Sequence, residues 1–476
     1  MRRYLTVCGV LAVGAAMASC KPSAETPAAT ATTAQTAETV EIQWFTGLGM
    51  EIDSNRQNAQ QAVVDEFNAT VGRENNIRLT LGTVYSGLAR DTLAARIEAG
   101  EGPDIVGPTG MVAASAFSDQ WLDLDPYIAM SGFDTSVFPA ALLDIYQPEG
   151  KTTALPFMVN PSVVFYNVSL FNRYGYAYPP AQYGKGHLMP DGQEAVWSWD
   201  TLAELARLMT IDGAGNHAGD PGFDGGDIRQ YGFTWQGYNH PNYWGGYWSD
   251  GSMWEEGRKA AKTPEEWKIA WQWTYDAIWG EAPFMANASV EESPAFGGGA
   301  PFNSGKVAMA VMPFQYADYL EEEGTWDIAV LPSYEGAVSA RIEEAAFRIL
   351  QTSRHPQEAF TVLQYLVTAA VDPLLIGDEE TPAAYDAVPA AKDKQETWKT
   401  AKAALFSTMF HLNVVLDNLN RPAALPTEVY MPNYSQAWAR GNAFADRLRT
   451  MEGLDLEAEI TAYEEDLTAI FAEPET

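Results

Sequence analysis

The segment Glu41-Ile42-Gln43-Trp44-Phe45-Thr46 begins the part of the chain that decides the fold. Polar and apolar residues alternate along it, as they do in a half-buried β-strand. Helical spacing of apolar residues follows at 55–68, a second strand pattern at 77–84, a second helical pattern at 88–99 and a short strand at 103–106. This alternation predicts an α/β fold in which crossover helices connect parallel strands.

The residues before this strand have the pattern of an export signal. Arg2 and Arg3 precede an apolar stretch at 5–16, and Met17-Ala18-Ser19-Cys20 places small residues next to a cysteine. The apolar stretch is shorter than the ~20 residues of a membrane-spanning helix. The run resembles a bacterial lipobox, in which the cysteine is diacylated and becomes the first residue of the mature chain. We therefore predict a lipoprotein signal peptide at 1–19; the alternative, an ordinary signal peptide cleaved near Ala18, also means export.

A linker separates this signal from the first strand. Residues 21–39 are rich in Ala, Thr, Pro and Ser and contain almost no large apolar side chains. Such a segment cannot bury enough apolar surface to fold, so we predict a flexible tether at 20–39. The two cysteines of the chain are Cys8 and Cys20. If Cys20 carries lipid, the mature protein has neither a free thiol nor a disulfide.

The composition limits the possible partners. The 476 residues carry a formal net charge of −34, and 46% of them are hydrophobic, enough for two to three domains or one large two-lobed body. A strongly acidic surface repels phosphates, which excludes nucleic acid as a main partner.

Several classes of functional site lack their motifs. No GxGxxG or GxxxxGK[ST] sequence follows a strand, no Gly-x-Ser-x-Gly or His-Glu-x-x-His is present, and none of the five histidines pair at metal-ligand spacing. The acidic segment 212–227 has spaced oxygen ligands that resemble a calcium loop, but Ala214 and Phe223 occupy positions that an EF-hand needs for ligands. We predict no cofactor and no metal, with calcium at 212–227 as the open alternative.

Seven segments together resemble one family, the extracellular solute-binding proteins of ABC importers, and within it the sugar-binding group that includes maltose-binding protein. The segments are Gly-Glu-Gly-Pro-Asp-Ile at 100–105, Leu-Asp-Leu-Asp-Pro-Tyr at 122–127, Leu-Pro-Phe at 155–157 with Val-Phe-Tyr-Asn at 164–167, Trp-Asp-Thr-Leu at 199–202, Phe-Asn-Ser-Gly-Lys-Val-Ala-Met at 302–309, the stretch 327–332, and Ser-Arg-His-Pro-Gln-Glu-Ala-Phe at 353–360. They occur in the family's order from about Val40 onward.

The resemblance implies a two-lobed periplasmic-binding-protein-like fold of type II, with discontinuous lobes, a hinge and a cleft between the lobes. We predict an N-terminal lobe at 40–158 with 348–385 and a C-terminal lobe at 159–347 with 386–476. The crossings between lobes would lie near 158–164, 347–350 and 385–388. Closure over the ligand would occur by hinge bending.

The resemblance also implies a function. The chain would be the substrate-binding component of an ABC importer that captures a carbohydrate and delivers it to the transmembrane permease. It would act as a monomer, anchored in the cell membrane through lipid on Cys20 and facing the periplasm or the cell exterior. It would not be an enzyme; an exported glycan hydrolase with two carboxylates across a cleft is the alternative. A structural or adhesive lipoprotein is less compatible with the βα pattern.

A sugar site needs aromatic side chains for the C–H faces and amides or carboxylates for the hydroxyl groups. Carried over by motif position, the predicted ligand contacts are Met50, Glu51, Pro108, Thr109, Asn160, Tyr231, Trp235, Trp244, Phe314, Gln315 and Tyr434. Other aromatics, namely Trp44, Trp197, Trp199 and those at 267–273, are predicted to pack in the core. For the aromatic segment 231–254 the alternative to ligand contact is a surface insertion whose rings pack on one another.

Overall fold

The computed structural model describes residues 38–147, 150–237, 239–254, 260–320, 325–377, 381–405, 411–419, 423–424 and 431–474. Within it, Thr39–Thr476 forms one compact unit. The predicted signal peptide, Cys20 and nearly all of the tether lie outside the described residues. Among the helices that the structure describes, none is both long and apolar enough to cross a membrane.

Thirteen strands lie within the described residues. They are β1 (Val40–Thr46), β2 (Ile77–Thr83), β3 (Ile105–Thr109), β4 (Leu155–Asn167), β5 (His187–Leu188), β6 (Glu194–Ala195), β7 (Ile211–Asp212), β8 (Ile228–Trp235), β9 (Val307–Pro313), β10 (Trp326–Ala329), β11 (Ala340–Ile349), β12 (Val388–Pro389) and β13 (Ala423–Ala424).

Sixteen α-helices connect or cover these strands in the same ranges. They are α1 (Ser54–Ala69), α2 (Val71–Asn75), α3 (Ser86–Glu98), α4 (Met111–Ser115), α5 (Asp125–Ser131), α6 (Ala140–Ile145), α7 (Val168–Tyr174), α8 (Trp199–Leu208), α9 (Pro241–Gly246), α10 (Glu265–Trp279), α11 (Ala288–Glu291), α12 (Pro356–Val367), α13 (Lys392–Leu405), α14 (Asn413–Leu419), α15 (Tyr434–Thr450) and α16 (Leu456–Ala472).

The helix starts follow from capping chemistry. Asp53 accepts a hydrogen bond from the backbone N–H of Arg56 and begins α1, and Asp455 does the same for α16 through Ala458. At α8 the capping side chain is that of Ser198, which accepts a hydrogen bond from the backbone N–H of Thr201. Asp200 lies in the first turn, where its charge is favourable beside the helix N-terminus.

Eleven strands form one mixed sheet. Its order is β2-β1-β3-β11-β4-β9-β8-β7, with β10 and β12 paired to β4 and β13 paired to β11. Strands β1, β2 and β3 are parallel, as the alternation of strands and helices predicts. The remaining pairs around β11 and β4 are antiparallel, apart from the parallel pairs β8–β9 and β11–β13. Strands β5 and β6 form a separate hairpin.

Strand β4 is a central strand of the sheet, between β11 and β9, and all thirteen of its residues are buried. Its first half, up to Pro161, pairs with β11, and its second half, from Ser162, pairs with β9. The change of partner falls inside the first predicted crossing. The second predicted crossing, near 347–350, lies at the end of β11, which pairs with the first half of β4 from Ile342 onward.

The core residues follow the apolar patterns closely. Trp44 is fully buried in β1, and its indole N–H donates to the carbonyl oxygen of Gly107 at 2.6 Å. Phe67 of α1 is fully buried and packs edge-to-face on Tyr365 of α12, with ring centroids 5.1 Å apart. A buried side chain of this size stabilises the fold by roughly 1.5–3 kcal/mol. These contacts hold the helices against the sheet without any disulfide among the described residues.

Candidate functional site

The carboxyl ends of several strands meet at the middle of β4. Strand β3 ends at Thr109, one strand away from the first half of β4 across β11, and β9 ends at Pro313, opposite Ser162. Strand β10 runs antiparallel to β4 and ends at Ala329, opposite Val164. These ends point at Met158–Ser162, which we call the central segment. In α/β sheets, ligands bind beyond the carboxyl ends of strands, where the strand order changes.

Asn160 places an amide in the central segment. It is only 6% exposed, and its Nδ2 donates to Gln315 Oε1 at 2.9 Å. Its Oδ1 is buried and has no hydrogen-bond partner in the part of the chain that the structure describes. A buried acceptor without a partner costs about 1–3 kcal/mol, which a donor from a ligand would recover. Two predicted contacts that are distant in sequence are thus brought together.

Two glutamates of β11 lie opposite the central segment. Glu343 is the cross-strand neighbour of Asn160, and Glu344 is that of Val159. Glu344 is buried, and its Oε1 accepts a hydrogen bond from the backbone N–H of Met111 at 3.2 Å. Burial, and then the negative charge of Glu343, raise the pKa of Glu344 to about 8. Sequence reasoning missed both, although a Glu-Glu pair inside an apolar strand is a detectable signal.

The first predicted contact loop is only partly buried. Met50 is half-buried and packs against the main core. Glu51 is exposed, and its Oε2 accepts a hydrogen bond from the hydroxyl of Ser86 at 2.5 Å. Pro108, which follows a cis peptide bond, and Thr109 are both buried in β3. Their side chains are therefore covered by the rest of the protein. The first exposed side chain after them is that of Val112.

Trp235 is turned into the core. It is 1% exposed and stacks on Tyr247, with ring centroids 5.4 Å apart and planes at 3°. The hydroxyl of Tyr247 donates to Ser162 Oγ at 2.8 Å. Tyr247 thus lies between Trp235 and the central segment, and Trp235 supports the segment through this ring. The predicted contact at Trp235 has no support in this geometry, because strand β8 turns the indole into the core.

Three more predicted contacts are also core residues here. Tyr231 is buried, and its ring packs edge-to-face on Phe296 at 5.4 Å. Trp244 is fully buried in α9. Phe314 is buried and packs edge-to-face on Trp398 at 5.7 Å. The rings of 231–254 that the structure describes therefore pack largely on one another, but within the core and not as a surface insertion.

Tyr434, the last of the predicted contacts along the chain, is partly exposed. It is half-buried at the start of α15 and stacks on Trp438, with centroids 5.6 Å apart. Trp438 in turn stacks on His240 at 3.6 Å, and Tyr243 meets its edge at 5.8 Å. We call these four residues the aromatic stack. Trp438 was missed, although it follows Tyr434 at the i,i+4 spacing that places both on one helix face.

The acidic segment 212–227 has an internal explanation. The carboxylate of Asp212 accepts hydrogen bonds from the backbone of Ala214, Asn216 and Asp224 and from the side chain of Asn216, all between 2.8 and 3.0 Å. The Asn216 side chain is the largest cause that lowers the pKa of Asp212, to about 2. Within the described ranges, no group of three His, Cys, Asp or Glu side chains could hold a metal ion. The carboxylate oxygens of Asp212, which a calcium ion would need as ligands, accept hydrogen bonds within the turn.

A family model described as "Bacterial extracellular solute-binding protein" matches residues 53–373. The chain belongs to this family. It is therefore an extracellular solute-binding protein, and it is a binding protein and not the exported hydrolase that the sequence left open.

Solved structures show that this solute-binding protein shares the periplasmic-binding-protein fold. UspC of Mycobacterium tuberculosis is 16% identical, with a TM-score of 0.67, and the match covers 90% of this chain and 100% of that one. The sugar-binding protein MalE of Xanthomonas citri is 14% identical, with a TM-score of 0.66 and coverage of 91% and 98%. An ABC substrate-binding protein of Listeria monocytogenes in complex with cycloalternan is 15% identical, with a TM-score of 0.60 and coverage of 91% and 99%.

Proposed function

We propose that this solute-binding protein captures a carbohydrate outside the membrane and delivers it to the permease of an ABC importer. The observation that carries the proposal is the Asn160–Gln315 pair at the central segment, where strand ends converge and a buried acceptor has no partner. Two of the structural neighbours support it: one is named a sugar-binding protein, and another was solved with cycloalternan.

The proposed chemistry follows from the groups at the central segment. Asn160 Oδ1 would accept a hydrogen bond from a sugar hydroxyl, and Gln315 and Glu343 would extend the polar side of the site. The aromatic stack, through Tyr434, would offer a ring face to the C–H face of a sugar. An analogue that lacks the hydroxyl would leave Asn160 Oδ1 buried and unpaired, which gives specificity through buried polar groups.

We propose further that the two lobes close on the ligand about the central segment. The predicted lobes are 40–158 with 348–385 and 159–347 with 386–476. The pairing of β11 with the first half of β4 favours moving the boundary at 348 to a position before Ile342. Pro161 lies where β4 changes partners and Pro313 lies opposite Ser162; neither has a backbone N–H to donate. With fewer backbone hydrogen bonds between the strands, this region would bend more easily and could act as the hinge.

The proposed cellular arrangement is a monomer anchored in the cell membrane through lipid on Cys20. The tether at 20–39 would let the body reach the permease from the periplasm or the cell exterior. Energy for uptake would come from a separate ATPase, because no nucleotide-binding motif follows a strand in the sequence.

The test is a thermal-shift screen of the body, from Thr39 onward, against sugars, polyols, amino acids and peptides. A sugar present at 100 times its Kd should stabilise the body by about 2.7 kcal/mol and raise its Tm. The sugar should remain chemically intact. Asn160→Ala should weaken binding of the same sugar by about 10- to 100-fold, because it removes the buried acceptor.

The matched control is Asn75→Ala, which removes an exposed amide of α2 that donates to the carbonyl oxygen of Val71 in the same helix. It should leave the Kd unchanged. A response to amino acids or peptides but not to sugars would refute the carbohydrate proposal. If the protein consumed the sugar, it would be an enzyme, and the proposal of a binding protein would be refuted.

A further inference from the structure

A cavity of about 550 Å³ lies between the chain around the β5–β6 hairpin and the segment that connects β10 to β11. Its lining residues come from the ranges 183–186, 194–197 and 330–338. They include no residue of the central segment or of the aromatic stack. Small-molecule sites in proteins occupy roughly 300–1,000 Å³, so this cavity is large enough to hold a ligand of its own.

Part of the cavity lining is apolar and held in place by hydrogen bonds. Trp197, Val330 and Leu331 belong to it, and all three are buried. The indole N–H of Trp197 donates to the carbonyl oxygen of Val330 at 2.9 Å, and the hydroxyl of Ser333 donates to the carbonyl oxygen of Trp197 at 3.0 Å. A ligand that binds against a surface already in position has little ordering cost to overcome.

The lining also includes an apolar side chain that is open to solvent. Val196 is 71% exposed, although it directly precedes the buried Trp197. Covering an exposed valine with another apolar group removes apolar surface from water, which favours binding. The ligand of this cavity should therefore have an apolar part.

Two opposite charges belong to the same lining, those of Lys185 and Glu194. A Cβ added at Gly186 would lie 2.7 Å from both Cγ and Oε1 of Glu194, so this carboxylate lies against the backbone next to Lys185. Both side chains are exposed, and within the described residues neither takes part in an ion pair. The cavity thus has an ammonium that can bind a carboxylate and a carboxylate that can bind an ammonium.

We propose that this cavity is a second binding site and that it takes an apolar α-amino acid. The side chain of the ligand would lie against Trp197 and Val196, its carboxylate would face Lys185, and its ammonium would face Glu194. An α-amino acid carries both charges on one carbon atom beside an apolar side chain, which matches the groups of the lining. A neutral sugar has neither charge. The inference therefore goes beyond the proposed function and does not depend on it.

The test is calorimetric titration of the body with L-leucine and with two analogues: isocaproate, which lacks the ammonium, and isoamylamine, which lacks the carboxylate. Leucine should bind, and glycine, which has no apolar side chain, should not. Lys185→Met should weaken binding of leucine and isocaproate by about three- to fivefold and leave isoamylamine unchanged. Glu194→Gln should weaken binding of leucine and isoamylamine by about the same factor and leave isocaproate unchanged. The controls Lys151→Met and Glu98→Gln, at exposed charges outside the lining, should change none of the three affinities.

Three other outcomes would refute the cavity site. If either variant weakened all three ligands equally, the charges would not recognise the ligand and the proposed pairing would be wrong. If leucine did not bind while a sugar did, the cavity site would be refuted and the proposed function would stand. If Asn160→Ala abolished leucine binding, leucine would bind at the central segment and not in the cavity; if no sugar bound either, the proposed function would fail as well.

Discussion

At the scale of single residues, Glu344 gives the sharpest prediction. Its pKa is raised from 4.5 to about 8, first by burial and then by the charge of Glu343, while Arg348 and the Met111 N–H oppose the rise. Between these values the unfolded chain is ionised and the folded chain is protonated. Folding then takes up a proton, so this residue lowers the free energy of unfolding as the pH increases from about 4.5 to about 8.

Glu344→Gln should remove this dependence, because glutamine keeps an acceptor for the Met111 N–H and carries no charge. The variant and the original should have equal stability near pH 4. At pH 8 the variant should be more stable by an amount on the order of a few kcal/mol. Urea unfolding at a series of pH values measures the difference. The exposed Glu98→Gln serves as control, and a difference that is constant with pH would contradict the prediction.

Residue chemistry also explains which contacts could be predicted. Asn160 and Gln315 could be predicted as contacts because each follows a recognisable motif, and the structure joins the two side chains by a hydrogen bond. The contact predicted at Trp235 depends on a tryptophan on a strand, which suits a ligand site and a core equally well. Only its stacking on Tyr247 distinguishes the two roles.

At the scale of elements, α14 supports the second half of β4. Asn418 is fully buried, and its Nδ2 donates to the carbonyl oxygen of Ser162 at 2.5 Å, while its Oδ1 accepts from Tyr183 at 2.9 Å. The residue opposite Ser162 is Pro313, which has no N–H to donate. A side chain of a helix therefore supplies a donor that this strand pair lacks.

Asn418→Ala should lower the free energy of unfolding by about 2–3 kcal/mol, because it removes the buried partner of a backbone carbonyl. Chemical denaturation of the body measures the loss. Asn75→Ala, at an exposed amide, should stay within about 0.5 kcal/mol of the original protein. If the two variants lost the same stability, the role of Asn418 at β4 would be refuted.

At the scale of the whole molecule, the N-terminal segment predicts a lipid anchor. The full chain, expressed in a bacterium and labelled with radioactive palmitate, should carry label and sediment with membranes. Cys20→Ser should lose both, because the acylated thiol is absent. Cys8→Ser should keep both, because Cys8 leaves with the signal peptide. Label that persists in Cys20→Ser would refute the anchor.

The amino-acid sequence by itself determined the local elements, the α/β class and the family, because helix caps, apolar spacing and short motifs depend on neighbours along the chain. The helices predicted at 55–68 and 88–99 correspond to α1 and α3. Tertiary structure alone decided where β4 changes partners, which aromatic rings are buried and that Glu343 lies beside Asn160. These features depend on side chains hundreds of residues apart, and their burial is set by the strands and helices that pack against them.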